Sequence, residues 1–417
     1  MFSSEALKAG SVRRTESDRL RFRIGAVAGL AAERGGGAML RELAEKKEKK
    51  VEYIELIYDL IFVYIIGRNN ALLHSFSNGF VDSAAFAAYI MTTLAVIQIW
   101  NYTTYYINIY GRHGVREHVF LFVNMFLLYF VGEGTRADWQ GFHAQYHIAW
   151  ALILVNIGLQ YVIELRNHPD RPENRRQIRR MALILFAEAA IVAADIFAYR
   201  AFGNTWLSLA AILFGMLTVI LFGQKYSGGF VDFPHLSERV MLYVVFTFGE
   251  MIIGIASYFD GAFSWRGTYF SLMAFLIAVG LFLSYGVFYD HIIDREKRTN
   301  GLGYMLLHIF LIFAMNNITN GLEFMQEEEL RLMPKLLFLV GSFLLFFGVL
   351  FALGIRHAKV RCERYPRLCF TAAAAGVVFC ALMLLLRGDM LLNIGLTVVF
   401  IFFLFAMIYR YGKLMDP

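Results

Sequence analysis

From about residue 54 to its end the chain repeats one pattern: an apolar stretch close to a bilayer's span, a short polar break, then another stretch. A hydrocarbon core about 30 Å thick takes about 20 residues of helix at about 1.5 Å each. Within it only helices or closed barrels satisfy every backbone polar group. The stretches fall at about 53–75, 84–109, 117–135, 143–165, 180–200, 206–223, 237–257, 267–292, 303–323, 333–355, 367–387 and 389–410. They predict an all-α polytopic membrane protein of about twelve transmembrane helices. Composition agrees, since 58% of the 417 residues are hydrophobic and 17% charged, too little charge to wet a soluble surface of this size. The prolines (Pro169, Pro172, Pro234, Pro334, Pro366 and Pro417) are read as lying at breaks between stretches or at the terminus, where a missing donor costs least.

Lys and Arg placement orients the helices. Counting along the predicted topology puts 32 of the 39 Lys and Arg residues on one side, and six on the other, namely Arg136, Arg200, Arg266, Arg331, Lys335 and Arg387. The basic side is expected to be cytoplasmic, with both termini on it, in the cytoplasmic (inner) membrane. The net charge of +6 is therefore a topology signal, and no nucleic-acid partner is expected. Residues 1–50 read as a basic cytoplasmic tail with no stretch long enough to cross, and Met39 is an alternative start. Beyond the tail, residues 51–223 and 224–417 each hold six predicted helices. Helices 2 and 8 both end in aromatic runs, Trp100–Asn108 and Ser284–His291, before a charged turn. The halves are thus a candidate pair of parallel six-helix repeats.

No phosphate-binding glycine loop, zinc-protease helix or nucleophile elbow occurs, so nothing marks an enzyme and no cofactor is expected. No lysine lies in the interior of any predicted span (Lys335 stands at the outer end of its own), which removes the anchor for a buried Schiff base. Cys362, Cys369 and Cys380 are an odd number and build no disulfide framework.

Ionisable residues inside spans are costly unless paired or hydrated, and so carry the functional signal. Glu55, Asp59, Glu188, Asp290, His291 and His308 form a layer near the cytoplasmic side, and Arg68, Glu133, Asp195 and Glu250 one nearer the outer side. On one reading the acids and histidines bind protons or cations with Arg68 as counter-ion. On the other, Arg68 pairs permanently with Glu250 or Glu133, and Glu55 with Arg239, merely fixing helices together. His143 and His147, one turn apart, have metal-ligand spacing but are read as interfacial histidines facing water, and no metal is assigned. Gly132, Gly134 and Gly249 flank buried acids and allow either close helix packing or local unwinding. Asn316, Asn317 and Asn320 form a polar stripe, lining a hydrated path or bonding between helices.

The segment Glu55-Leu56-Ile57-Tyr58-Asp59-Leu60-Ile61-Phe62-Val63 resembles the Glu-Leu-Phe-Phe-Asp-Leu-Val-Phe-Val opening of the bacterial low temperature requirement A family. His235-Leu236-Ser237-Glu238-Arg239 with Gly249-Glu250 resembles that family's second signature, and Asn108 and Asp290 fit its aromatic helix endings. The resemblance spans about 50–411 and implies a multi-pass protein linked by name to growth in the cold. It singles out Glu55, Asp59, Glu238, Arg239, Gly249 and Glu250, with a Glu55–Arg239 contact as a cytoplasmic gate.

The expected function is a proton- or cation-coupled secondary transporter of a small solute in the lipid bilayer. Asp59 and Glu250 are its central titratable sites, and Glu238 and Arg239 its gate. An ion or proton channel and a membrane-embedded enzyme or lipid-handling protein stand as alternatives. A homo-oligomer is left open.

Overall fold

The computed structural model describes residues 51–112, 114–135, 139–167, 172–223, 231–259, 264–327, 329–359 and 364–414. The basic tail 1–50, with its alternative start at Met39, and Cys362 lie outside them.

The described chain is helical almost throughout. In order come α1 (Tyr53–Asn69), α2 (Ser83–Tyr110), α3 (Val115–Glu133), α4 (Trp139–Asn167), α5 (Pro172–Phe202) and α6 (Trp206–Gly223). Then follow α7 (Phe233–Gly254), α8 (Trp265–Val287), α9 (Leu302–Gln326), α10 (Leu332–His357), α11 (Arg364–Leu385) and α12 (Met390–Lys413). Ten of these are long and apolar enough to cross a membrane. The other two are α6, whose apolar run Trp206–Leu221 is shorter, and α7, which carries Glu238, Arg239 and Glu250 in 22 residues. The chain is a multi-pass membrane protein.

Local chemistry sets the helix ends. Asp82 accepts from the amides of Ala84 and Ala85 at the start of α2, Asp232 from His235 at α7, and Asp389 from Leu391 and Leu392 at α12, satisfying donors that a helix start leaves open. Pro172, Pro234, Pro334 and Pro366 occupy first turns of helices, not the breaks where they were expected. Proline lacks only an amide that the first turn would not use. Between α1 and α2 a small hairpin pairs β1 (Phe76–Ser77) with β2 (Phe80–Val81). Its two-residue Asn78-Gly79 turn has φ of 54° and 81°, the left-handed pair that such turns require.

Contacts at the helix ends place the elements. Asn108 at the end of α2 donates to the Asp232 carbonyl before α7, and Tyr110 bonds Asn174 of α5. The Lys359 amide after α10 donates to Ile292 after α8. At the opposite end, the Arg331 amide before α10 donates to Gly79 of the hairpin, and Tyr258 after α7 donates to the Leu322 carbonyl of α9. Glycines let helices approach: a Cβ on Gly158 would lie 2.8 Å from Phe186, and one on Gly321 2.9 Å from Leu339. The outward faces are apolar. Val119, Phe122, Phe126 and Phe130 form an exposed stripe along α3, and Phe370, Val377, Val378 and Leu385 along α11. Such stripes suit lipid, whereas Glu55, Asp59, Glu188, Asp195 and Arg239 are turned inward and buried.

Candidate functional site

Helix periodicity puts Glu55 and Asp59 of α1 on one face, one turn apart. That face meets α7, where Arg239 lies two turns from the helix start. Its guanidinium reaches Glu55 Oε2 at 2.9 Å through Nη1 and Asp59 Oδ1 at 3.1 Å through Nη2. All three side chains are fully buried. The Trp100 indole of α2 donates to Asp59 Oδ1 at 2.7 Å, and its ring stacks on Tyr243 of α7 at 4.3 Å between centroids. His235, one turn before Arg239, sets Nε2 3.7 Å from Glu55 Oε2, and Asn108 meets its Nδ1 at 3.0 Å. Three helices thus converge on one arginine shared by two carboxylates.

Of these residues, Glu55, Asp59, His235 and Arg239 belong to the two sequence signatures. A family model described as Bacterial low temperature requirement A protein (LtrA) matches residues 50–406. The chain belongs to this family. No curated protein and no solved structure matches it.

In this LtrA chain Glu238, grouped with Arg239 as a gate by the sequence reading, is exposed on another face of α7. A step of about 100° per residue separates neighbours on a helix. Arg68 is not the counter-ion of Asp59. Nine residues further along α1, it faces Glu133 of α3 at 3.6 Å, one of the two partners expected for it, with both side chains about two-fifths exposed (41% and 42%). Glu250 is half-buried, and its carboxylate occupies the notch left by Gly67 of α1. α7 runs unbroken through Gly249, so its carbonyls stay in the helical ladder, while Gly132 packs on Ile65. Asp290 is exposed on the π turn Phe288–Ile292. His308 is buried, its Nδ1 on the Tyr304 carbonyl at 2.8 Å and Nε2 on the Tyr285 hydroxyl at 3.3 Å.

Glu188 of α5 is fully buried and accepts from the Tyr102 hydroxyl of α2 at 2.6 Å, while Gln98 donates to the same hydroxyl at 2.7 Å. Gly215 of α6 makes room for all three, since a Cβ there would strike each polar tip. Beside them Gln98, Asn101, Tyr102 and Met305 help line a cavity of about 60 Å³, room for about two waters.

The asparagines of α9 bond between helices. Asn316 and Asn320 each donate to Asn70 Oδ1 at 3.0 Å, and Tyr89 of α2 donates to Asn317. Glu323 extends the same face of α9 and reaches α7 at Gly254.

His143 and His147 are buried (2% and 0% exposed), so they do not face water as expected. α5 brings Asp195 against both. Among the described residues these three form the group with metal-ligating geometry.

Sequence reasoning passed over Trp100, Tyr102, Tyr243 and Glu323. The first two stood inside the aromatic run already noted, but a hydroxyl or indole N–H carries no charge to flag it. Asn316, Asn320 and Glu323 are spaced i, i+4, i+7, a readable stripe that was followed only as far as the asparagines.

Proposed function

We propose that this LtrA protein is a proton- or cation-coupled secondary transporter of the cytoplasmic membrane, with α1 and α7 as its moving contact. The observation that carries the reading is the single buried arginine of α7 held by two carboxylates of α1. When one carboxylate takes up a proton or a cation, the guanidinium redistributes toward the other. A small local charge change then alters how two helices are joined, which is what coupling requires. Asp59 and Glu250 are the titratable sites of this reading, and the Glu55–Arg239 contact its cytoplasmic gate.

The reading includes twelve crossings with both termini on the basic, cytoplasmic side, and two parallel repeats at 51–223 and 224–417. Packing supports the repeat. α1 packs on α3, α3 on α4, α4 on α5, α5 on α6 and α2 on α6. The same scheme recurs as α7 on α9, α9 on α10, α10 on α11, α11 on α12 and α8 on α12. The shared-arginine contact then joins the first helix of each half, the natural place for one half to rock against the other.

The test is flux into proteoliposomes holding a pH dye, with an imposed proton gradient. Proton movement is expected in the wild type and at least tenfold slower in Asp59→Asn and Glu250→Gln, each inserted to equal density (a tenfold rate change is about 1.4 kcal/mol of barrier). Equal flux in all three proteins would sink the proposal.

A further inference from the structure

A second cluster lies well away from the shared arginine, where α4, α5 and α6 meet. His143 and His147 stand one turn apart on α4 with rings stacked at 3.9 Å between centroids. Asp195 comes from α5 and Ser208 from the first turn of α6. All four are essentially buried, at 2%, 0%, 0% and 0% exposure. Both imidazoles aim Nε2 at a single oxygen: His143 Nε2 and His147 Nε2 each lie 3.1 Å from Asp195 Oδ2. Ser208 Oγ is 2.7 Å from His147 Nε2 and 2.6 Å from Asp195 Oδ2.

Counting hydrogens shows what the arrangement needs. His147 Nδ1 lies 2.7 Å from the His143 carbonyl, which only accepts, so Nδ1 carries a proton and Nε2 is the ring atom that faces the cluster. That nitrogen, the Asp195 carboxylate and the Ser208 oxygen converge on one point, and the serine has one hydrogen to give. Nε2 and Oδ2 at 3.1 Å therefore share a positive centre, which is either a proton or a metal ion. Asp195 Oδ1 is buried without a hydrogen-bond partner, so the carboxylate also has unused acceptor capacity.

We propose that His143, His147 and Asp195 bind a divalent transition-metal ion of the zinc type. Two imidazoles and a carboxylate are the donor set that such ions prefer, and i, i+4 spacing on one helix presents both rings to one ion. The ligating atoms lie within 4.8 Å of one another. Zn–N and Zn–O bonds of about 2.0–2.2 Å at tetrahedral angles place ligand atoms about 3.3–3.6 Å apart, so small side-chain shifts complete the site. The His143 carbonyl on His147 Nδ1 fixes ring and tautomer, the usual outer support of a metal-bound histidine. The Ser208 hydroxyl or a water takes the fourth position. The site pins α4, α5 and α6 together within the first half, independently of any flux through α1 and α7.

The test uses the full chain in detergent, stripped with a chelator and titrated with zinc chloride under calorimetry, then with cobalt(II) in its place. One equivalent of zinc per chain is expected, with cobalt giving the visible bands of a four-coordinate N/O site. Asp195→Asn and His147→Gln are expected to weaken binding about 100-fold or more, beyond the 10–100-fold that even outer-shell partners cost. Thr218→Ala, on α6 but bonded only to its own helix backbone, is expected to keep the equivalent. Absence of a stoichiometric site in the wild type, or wild type and variants indistinguishable, would overturn the proposal and leave a proton between His147 and Asp195. Should the variants fail to fold, the cobalt spectrum of the wild type alone decides.

Discussion

Replacing Arg239 by methionine tests the central cluster most directly. The substitution keeps much of the volume and removes the one cation between Glu55 and Asp59, both fully buried. Contacts of 2.9 and 3.1 Å put the charge centres close together. At about 4 Å and an effective dielectric near 20, each arm corresponds to about 4 kcal/mol. Taking three ions out of water costs several kcal/mol apiece, so the intact cluster adds little net stability, yet breaking it strands two carboxylates. Arg239→Met is therefore expected to lose about 3–5 kcal/mol. The assay is SDS-driven unfolding of the detergent-solubilised protein, followed by tryptophan fluorescence. The triple variant Glu55→Gln, Asp59→Asn, Arg239→Met should recover most of the loss, because no buried ion is left unpaired. In a cycle of Asp59→Asn with Arg239→Met the coupling should be about 2–3 kcal/mol, toward the upper end for residues sharing one network. Additivity within about 0.5 kcal/mol, or an Arg239→Met protein as stable as the wild type, would refute the reasoning.

Two further outcomes follow from single contacts. Trp100→Phe keeps a ring to stack on Tyr243 but removes the 2.7 Å donor to Asp59 Oδ1; a loss of about 1.5–3 kcal/mol is expected in the same unfolding assay, the range for hydrogen bonds to charged groups. Gly215→Ala drives a methyl onto Gln98, Tyr102 and Glu188, whose buried tips have little room to retreat; about 1–3 kcal/mol of overpacking is expected, read as an earlier SDS midpoint with unchanged helical circular dichroism.

The helices were legible because the bilayer imposes one length and one chemistry on each of them. Their ends were less so: α5 starts at Pro172, eight residues before the apolar stretch placed at 180, because a helix continues into polar surroundings wherever caps and neighbours hold it. Among the site residues, Glu55 and Asp59 announced themselves as charges in apolar sequence, and the pairing of Glu55 with Arg239 stood as one of two readings, while that of Asp59 with Arg239 was not foreseen. Which cation they meet was hidden, since Arg68 and Arg239 are equally basic in sequence and only packing sends one to Glu133 and the other between α1 and α2. His143 and His147 show the same limit. Spacing put both on one face, but whether that face met water or Asp195, 48 residues beyond His147, depends on how α5 returns beside α4.

The distribution of polarity along α1 bears on the choice between carrier and channel. At one level lie Glu55, Asp59 and Arg239. At the other lie Asn69 on Thr93 and Asn70 on Asn316 and Asn320, with Glu250 and Glu323 nearby on α7 and α9. From Asp59 to Asn69 are ten residues, about 15 Å of helix. The inward residues there are Phe62, Val63, Ile65 and Ile66, all buried. Water and ions avoid such a layer, whose apolar packing offers no hydrogen bond to replace the solvent. A channel at this locus needs a continuous hydrated path, whereas a carrier needs two polar stations with a barrier that opens to one side at a time. The layered arrangement along α1 is compatible with the carrier proposed above. In that proposal the cycle includes parting of the apolar layer between α1 and its neighbours while the ion pair of Arg239 re-forms.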